Sequence, residues 1–255
     1  MAEERLQKWL AQSGHGSRRQ LETMIRDGRI TVDGNVAELG CKVTGSERIT
    51  IDGRLLKAPK KRQPARTIMY FKPAGEICTR SDPEGRRTIF QSLPKVVGGR
   101  WVSIGRLDVA TAGLLLLTTD GELANALMHP SGGIAREYLV RVKGEPTPEQ
   151  INQLLTGVEL DDGVAKFEKI LATKDEGSNR WFRVMLREGR NRIVRRMWNE
   201  LGFDVSRLMR ISYGPIALPR GLGKGKYREL NPAELKLLKR AVSSPAPTDS
   251  SDSHR

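Results

Sequence analysis

The sequence predicts an α+β protein in two parts, a small helix-and-strand module over residues 1–60 and a larger domain over 67–242 built on a mainly antiparallel sheet. Three observations carry this. In the first sixty residues, apolar positions at helical spacing precede short alternating stretches. Further on, alternating segments at 136–142 and 181–186 and a strand-like one at 205–211 are separated by helical ones, the mixed order of an α+β domain. Between the two parts lies KAPKKRQPAR, basic and proline-containing, which reads as a semi-rigid linker ending over 61–66.

The front module begins with Leu6, Trp9 and Leu10 at helical spacing, broken by Gly14-His15-Gly16. Ser17 then opens a capping box with Gln20 and starts a second helix carrying Leu21, Met24 and Ile25. Gly28 stands where a left-handed C-cap belongs. Ile30 and Val32 alternate into Asp33-Gly34, a hairpin signal, and a strand over 49–51 ends at a second Asp-Gly. This order, and SRRQLETMIRDGRITVDG in particular, resembles the RNA-binding domain named after ribosomal small-subunit protein four. The resemblance implies that Arg18, Arg19, Arg26 and Arg29 face RNA. The module's 11 basic and 8 acidic residues leave a net of only +3, so any footprint lies in clustering.

In the larger part, Thr67 opens a strand that Pro73 stops. SDPEGRR is a charged turn-rich loop whose Arg86 could reach phosphate. Residues 101–104 lead into Gly105-Arg106-Leu107-Asp108. After a turn over 109–113, the run Leu114 to Leu117 suits a strand buried on both faces. Asp120 caps a short helix over 122–128. Asp108 therefore falls in a tight loop between two buried strands, beside Arg106, and loops on rigid scaffolds are where catalytic groups are presented. Thr147-Pro148 caps a helix. A helix over 190–201 is closed by Gly202, and a terminal helix opens at Asn231-Pro232. From Ser243 onward, SSPAPTDSSDSHR offers no apolar surface and reads as a disordered tail over 243–255.

Of the 255 residues, 44 are Lys or Arg and 30 are Asp or Glu, giving a net charge of +14 and pointing to a polyanionic partner, most simply nucleic acid. No apolar run approaches the roughly 18 to 20 residues that span a bilayer, and no signal-peptide core is seen, so the chain reads as cytoplasmic, with no membrane partner and monomer as the default. Two widely separated cysteines and three scattered histidines suggest neither a zinc site nor a serine-histidine triad, leaving carboxylate, arginine and tyrosine as the chemical groups.

Three stretches stand out together: Gly105-Arg106-Leu107-Asp108, Arg136-Glu137-Tyr138, and the segment 187–196, with five arginines in ten residues. Density of that kind points first to phosphate contacts, here by Arg190, Arg192 and Arg196. In this order, and with KPAGEICTRSDPEGRRT and GRLDVATAGLLLLTTDGELANALMHP, the chain from Leu6 to about Arg240 resembles the ribosomal pseudouridine synthases. The resemblance implies isomerisation of a uridine in 23S (large-subunit) rRNA, without cofactor or metal, after the base is flipped from the RNA. A sister group with the same layout acts on small-subunit rRNA, and a non-catalytic rRNA-binding or assembly protein is the rival class. By the same resemblance Asp108 is the catalytic aspartate, Tyr138 the active-site tyrosine that stacks on the base, and Arg195 the ion-pair partner of the aspartate. Arg106 is the filler of the space the flipped uridine leaves.

Overall fold

The structure of the protein, a computed structural model, describes residues 3–56 and 64–243. Its contacts divide into two compact units. One comprises Met1–Arg66 with Pro94–Val102 and Thr119–Gly121; the other comprises Thr67–Leu93, Ser103–Thr118 and Glu122–Arg255. The two inserted segments come from the middle of the chain, where the sequence suggests a single cut. The expected linker lies partly, and the expected tail almost wholly, outside the described residues.

The first unit contains β1 (Glu4–Arg5), α1 (Leu6–Gln12), α2 (Arg18–Arg26), β2 (Ile30–Val32), β3 (Asn35–Val36), β4 (Lys42–Val43), β5 (Ile49–Ile51) and β6 (Arg54–Leu55). The capping box forms as the sequence predicts: Gln20 N donates to Ser17 Oγ at 3.1 Å and Ser17 N donates to Gln20 Oε1 at 2.9 Å. Asp33-Gly34 and Asp52-Gly53 all take positive φ, the geometry of the two-residue turns that join β2 to β3 and β5 to β6. These strands make a four-stranded sheet in the order β3-β2-β5-β6, while β1 pairs β4. Leu6, Leu10, Leu21, Ile25, Ile30 and Ile49 close the core beneath the helices.

Glu47 locks the turn that follows β4. Burial alone would raise its pKa, but hydrogen bonds from Thr44 N, Thr44 Oγ1 and Gly45 N, each 2.8 Å, outweigh it and hold the carboxyl at about 2. A carboxyl depressed in the folded state stabilises above its unfolded pKa and loses that contribution as pH falls through the folded value. Glu47→Gln should therefore be less stable than the parent by about 1 kcal/mol at neutral pH after solvent screening, the gap narrowing between pH 4.5 and about 2. Denaturant melts across that window check it; a gap independent of pH would remove Glu47 from the account.

The second unit contains, apart from Val102 and Gly121 at the starts of β8 and α3, β7 (Thr67–Lys72), β8 (Val102–Ile104), β9 (Thr111–Thr118), α3 (Gly121–Met128), β10 (Arg136–Lys143), α4 (Pro148–Thr156), β11 (Lys169–Glu176), β12 (Asn179–Leu186), α5 (Ile193–Glu200), β13 (Val205–Tyr213), β14 (Ile216–Ala217), β15 (Tyr227–Glu229) and α6 (Pro232–Ser243). One nine-stranded sheet runs β11-β12-β10-β13-β9-β7-β15, with β14 added to β13 and β8 to β9. Along that seven-strand path the pairings are antiparallel except β9 with β13. Leu114 to Leu117 are fully buried, as expected of a strand covered on both faces.

Two boundaries differ from the sequence reading. The turn expected over 109–113 is shorter, because Thr111, Ala112 and Gly113 already pair with Leu208, Met209 and Arg210 in the parallel ladder. Gly113 sits at φ +111°, and a Cβ there would collide with the Arg210 backbone. The helix expected from residue 190 starts at Ile193, because Arg192 takes a left-handed conformation (φ 49°) and ends the preceding loop. Among the described residues, no helix is long and apolar enough to cross a membrane.

Candidate active site

A cleft of about 1240 Å³ opens in the second unit, and Asp108, Arg106, Tyr138, Arg190, Arg192 and Arg210 are among the residues that line it. Asp108 follows β8 through Gly105 (φ +75°), exposed Arg106 and buried Leu107. The loop is held from both sides. Thr111 N donates to Asp108 O at 3.0 Å, and Leu107 exchanges contacts with the Cys78 sulfur, its N–H donating to Sγ at 3.5 Å.

Beneath the loop stands Lys72, the last residue of β7 and fully buried. Its Nζ donates to Pro73 O (3.0 Å), Asp108 O (3.1 Å) and Thr111 O (2.8 Å), so three donors meet three carbonyls. Burial lowers the Lys72 pKa, opposed by the fields of Cys78, Glu76 and Asp108. Lys72 holds the Asp108 backbone, which leaves the carboxylate free for chemistry. No motif in the sequence points to it. The available signal was a lysine ending a strand that is otherwise wholly buried-type.

Tyr138 lies on β10, buried, with Val184 of β12 and Arg210 of β13 as its cross-strand partners. Arg195 projects from α5 and is buried, but it makes no ion pair with Asp108 among the described residues. Its Nη1 donates to Val205 O at 2.7 Å and its Nη2 to Ala110 O at 3.1 Å. Desolvation lowers its pKa, Arg192 adds to that, and the Asp108 field opposes both. The direct pair suggested by resemblance is thus replaced by a backbone clamp two residues beyond Asp108, with Asp108 still close enough to act through its field.

The remaining arginines fall into two groups. Arg18, Arg19 and Arg26 on α2, and Arg106 and Arg192 in the cleft, are exposed and carry no ion pair among the described residues. The others are engaged within the chain. Arg190 binds Glu188 and Asp162 and the carbonyls of Gly163 and Val164; Arg196 binds Asp161 and Asp162. Arg29 forks onto Asp52 at 2.7 and 2.8 Å, and Arg86 pairs with Asp82 and Glu84. Each of these four guanidiniums has acidic partners within the chain, and exposed pairs of this kind are weak enough for a phosphate to compete with them. Arginine density alone could not separate the groups, because Asp52, Asp162 and Asp161 lie 23, 28 and 35 residues from Arg29, Arg190 and Arg196.

Arg136 completes the far wall. Its Nη1 donates to Arg187 O at 2.6 Å and to Ile134 O at 3.1 Å, while Arg187 Nη1 donates to Gly133 O at 2.9 Å. Two strand ends are thereby stitched across the cleft edge. A carboxylate on a doubly held loop, sharing a basic cleft with a tyrosine, can attack or deprotonate a sugar whose base rests on that tyrosine.

Comparisons with known proteins agree on the identity of both parts. Residues 66–200 match the family described as RNA pseudouridylate synthase, and residues 4–49 match the S4 domain. The chain is 51% identical over 250 residues to the ribosomal large subunit pseudouridine synthase B of Escherichia coli (strain K12), covering 97% of this chain and 86% of that protein. It is 52% identical to the protein of the same name from Yersinia pestis, over 94% of this chain and 76% of that one. A solved structure described as a pseudouridylate synthase superposes with a TM-score of 0.64 at 27% identity, covering 92% of this chain and 99% of the other.

Proposed function

The chain belongs to the RNA pseudouridylate synthase family, and from that premise we propose that it isomerises a uridine of large-subunit rRNA, with Asp108 and Tyr138 acting on the nucleotide. It is a pseudouridine synthase, an isomerase, carrying an S4 domain in front. The observation that carries the residue assignment is the Asp108 loop: its carbonyl accepts from both Lys72 and Thr111, and Asp108 lines the cleft. Large-subunit RNA as substrate is supported by the names of relatives about half identical to this chain. Action in the cytoplasm as a monomer belongs to the same proposal.

The reaction breaks the N1–C1′ bond, turns the base and joins C5 to C1′; the C5 proton leaves and N1 takes up a proton, so the composition is unchanged. Asp108 either attacks C1′ or removes the neighbouring sugar proton, and both routes use the same carboxylate. Tyr138 stacks on the base and keeps it in the cleft while it turns. Arg195 positions the loop through Ala110 O. Arg106, exposed at the mouth, fills the gap left in the RNA, which helps offset the few kcal/mol that flipping costs. Arg192 is free to hold a phosphate.

The substrate is tested by release of tritium from C5-labelled uridine in large- and small-subunit transcripts. Release from the large-subunit transcript alone is expected; release from the small-subunit transcript alone would overturn the assignment.

The front unit contributes affinity rather than chemistry. Arg18→Ala with Arg19→Ala should weaken RNA binding about 10-fold and reduce the salt slope by about 1 to 2, with single-turnover release at saturating enzyme unchanged. An unchanged slope would remove α2 from the RNA footprint.

A further inference from the structure

The cleft holds a charge that the assignment above does not use. Arg210 on β13 is 2% exposed. Its Nε donates to Leu114 O at 2.8 Å and its guanidinium lies 5.0 Å from the Tyr213 ring centre. Among the described residues it has no carboxylate partner, and its Nη2 is buried with no hydrogen-bond acceptor. The side chain borders the cleft beside Tyr138, its cross-strand neighbour. Thr111, on the same wall, has a second unpartnered buried atom, Oγ1.

An arginine does not lose its proton, so an unpaired buried guanidinium is costly. Two other buried charges nearby are satisfied, Lys72 by three carbonyls and Glu76 by Tyr70, Ser92 and Arg87, whereas buried Arg195 keeps an unpartnered Nε but gives both Nη groups to carbonyls. Gly113 lets the β13 backbone approach β9 closely at Arg210, so the fold accommodates this residue at a specific point. An arrangement with such a cost fits a partner that appears only during the reaction.

The chemistry supplies one. When the N1–C1′ bond breaks, both electrons stay with the base, which becomes a uracil anion with charge on N1, O2 and O4. The negative charge that started on Asp108 has moved. Asp108 is then either an ester with C1′ or a neutral acid holding the sugar proton, and the balance is the same on both routes. Backbone phosphates, by contrast, stay at the RNA surface, where exposed Arg106 and Arg192 stand.

We propose that Arg210 stabilises the detached uracil anion, its guanidinium donating to a pyrimidine carbonyl oxygen while Tyr138 stacks on the ring. The inference rests on the reading that the base is detached in this cleft. Preorganised donors aimed at developing charge act mainly on the chemical step.

The test uses full-length Arg210→Met and Arg210→Lys on transcripts carrying either uridine or 5-fluorouridine at the target position. Formation of the C5–C1′ bond is followed in single turnovers by chromatography and fragment-ion mass spectrometry of nuclease digests; 5-fluorouridine, which has no C5 proton to lose, is read as the C5-linked adduct that keeps its fluorine. 5-Fluorouracil is the more acidic base, so its anion needs less help. Arg210→Met should slow uridine rearrangement by on the order of 10² to 10³-fold, with RNA affinity within about 3-fold of the parent. The defect should shrink at least several-fold on 5-fluorouridine. Equal losses on both substrates, or weaker binding with an unchanged rate, would overturn the proposal. If Arg210→Met fails to fold, Arg210→Lys carries the same comparison, and failure of both to fold would make Arg210 a packing element and end it. Wild-type turnover of uridine is the separate control: its absence would sink the assigned reaction and not the role of Arg210 alone.

Discussion

Asp108→Ala should reduce turnover by on the order of 10⁴-fold or more while RNA affinity stays within a few-fold. Alanine is tolerated by the fold because the contacts that shape the loop use the Asp108 backbone: its carbonyl accepts from Lys72 Nζ and from Thr111 N. The carboxylate itself makes no ion pair among the described residues, so its loss leaves no cation stranded. Single-turnover tritium release and filter binding, on the same transcript, separate the two properties. A parallel loss of binding would make Asp108 a structural residue and move the chemistry elsewhere in the cleft.

Lys72→Met should be the most destabilising single change in the second unit. Methionine fills the space, but three buried carbonyls, of Pro73, Asp108 and Thr111, lose their shared donor. Stranding buried acceptors of this kind costs about 3 to 5 kcal/mol, or roughly 10 °C in Tm for a chain of this size. Turnover should fall as well, by about 100-fold, because the Asp108 loop is no longer fixed and small displacements of a reacting group are expensive. Calorimetry and single-turnover rates check both. A melting point within two degrees of the parent would mean that other contacts hold the loop and that Lys72 is dispensable.

Local chemistry was the readable part of this sequence. The Ser17 capping box, the Asp-Gly turns and the Thr147-Pro148 helix start depend on residues within four positions of one another, and each is found where the sequence places it. Distance-dependent features were not readable. The pairing of β9 with β13 joins residues 97 apart, and no local pattern announces it. Lys72 and Arg210 both sit at core-facing positions of strands, where a charge breaks the expected pattern; that anomaly was the one sign of their roles. Asp108, Tyr138 and Arg190 do converge on one cleft, but Arg195 turns its guanidinium to Val205 and Ala110 instead of Asp108. Residue type and order identified the members of the site, whereas the hydrogen bonds each one makes depend on the tertiary arrangement.

The central place of β13 also sets a schedule. Strand β9 lies between β7 and β13, and Arg195 is tied to β13 through Val205 O, so the walls of the cleft come from opposite ends of the second unit's chain. Loop closure over that distance is slow compared with hairpin formation, and during synthesis it has to wait until Tyr213 has left the ribosome. The β11–β12 hairpin can form early, whereas the cleft around Asp108 is among the last features completed. A growing chain of this protein therefore carries Asp108 for more than a hundred residues before the strand that completes its cleft exists.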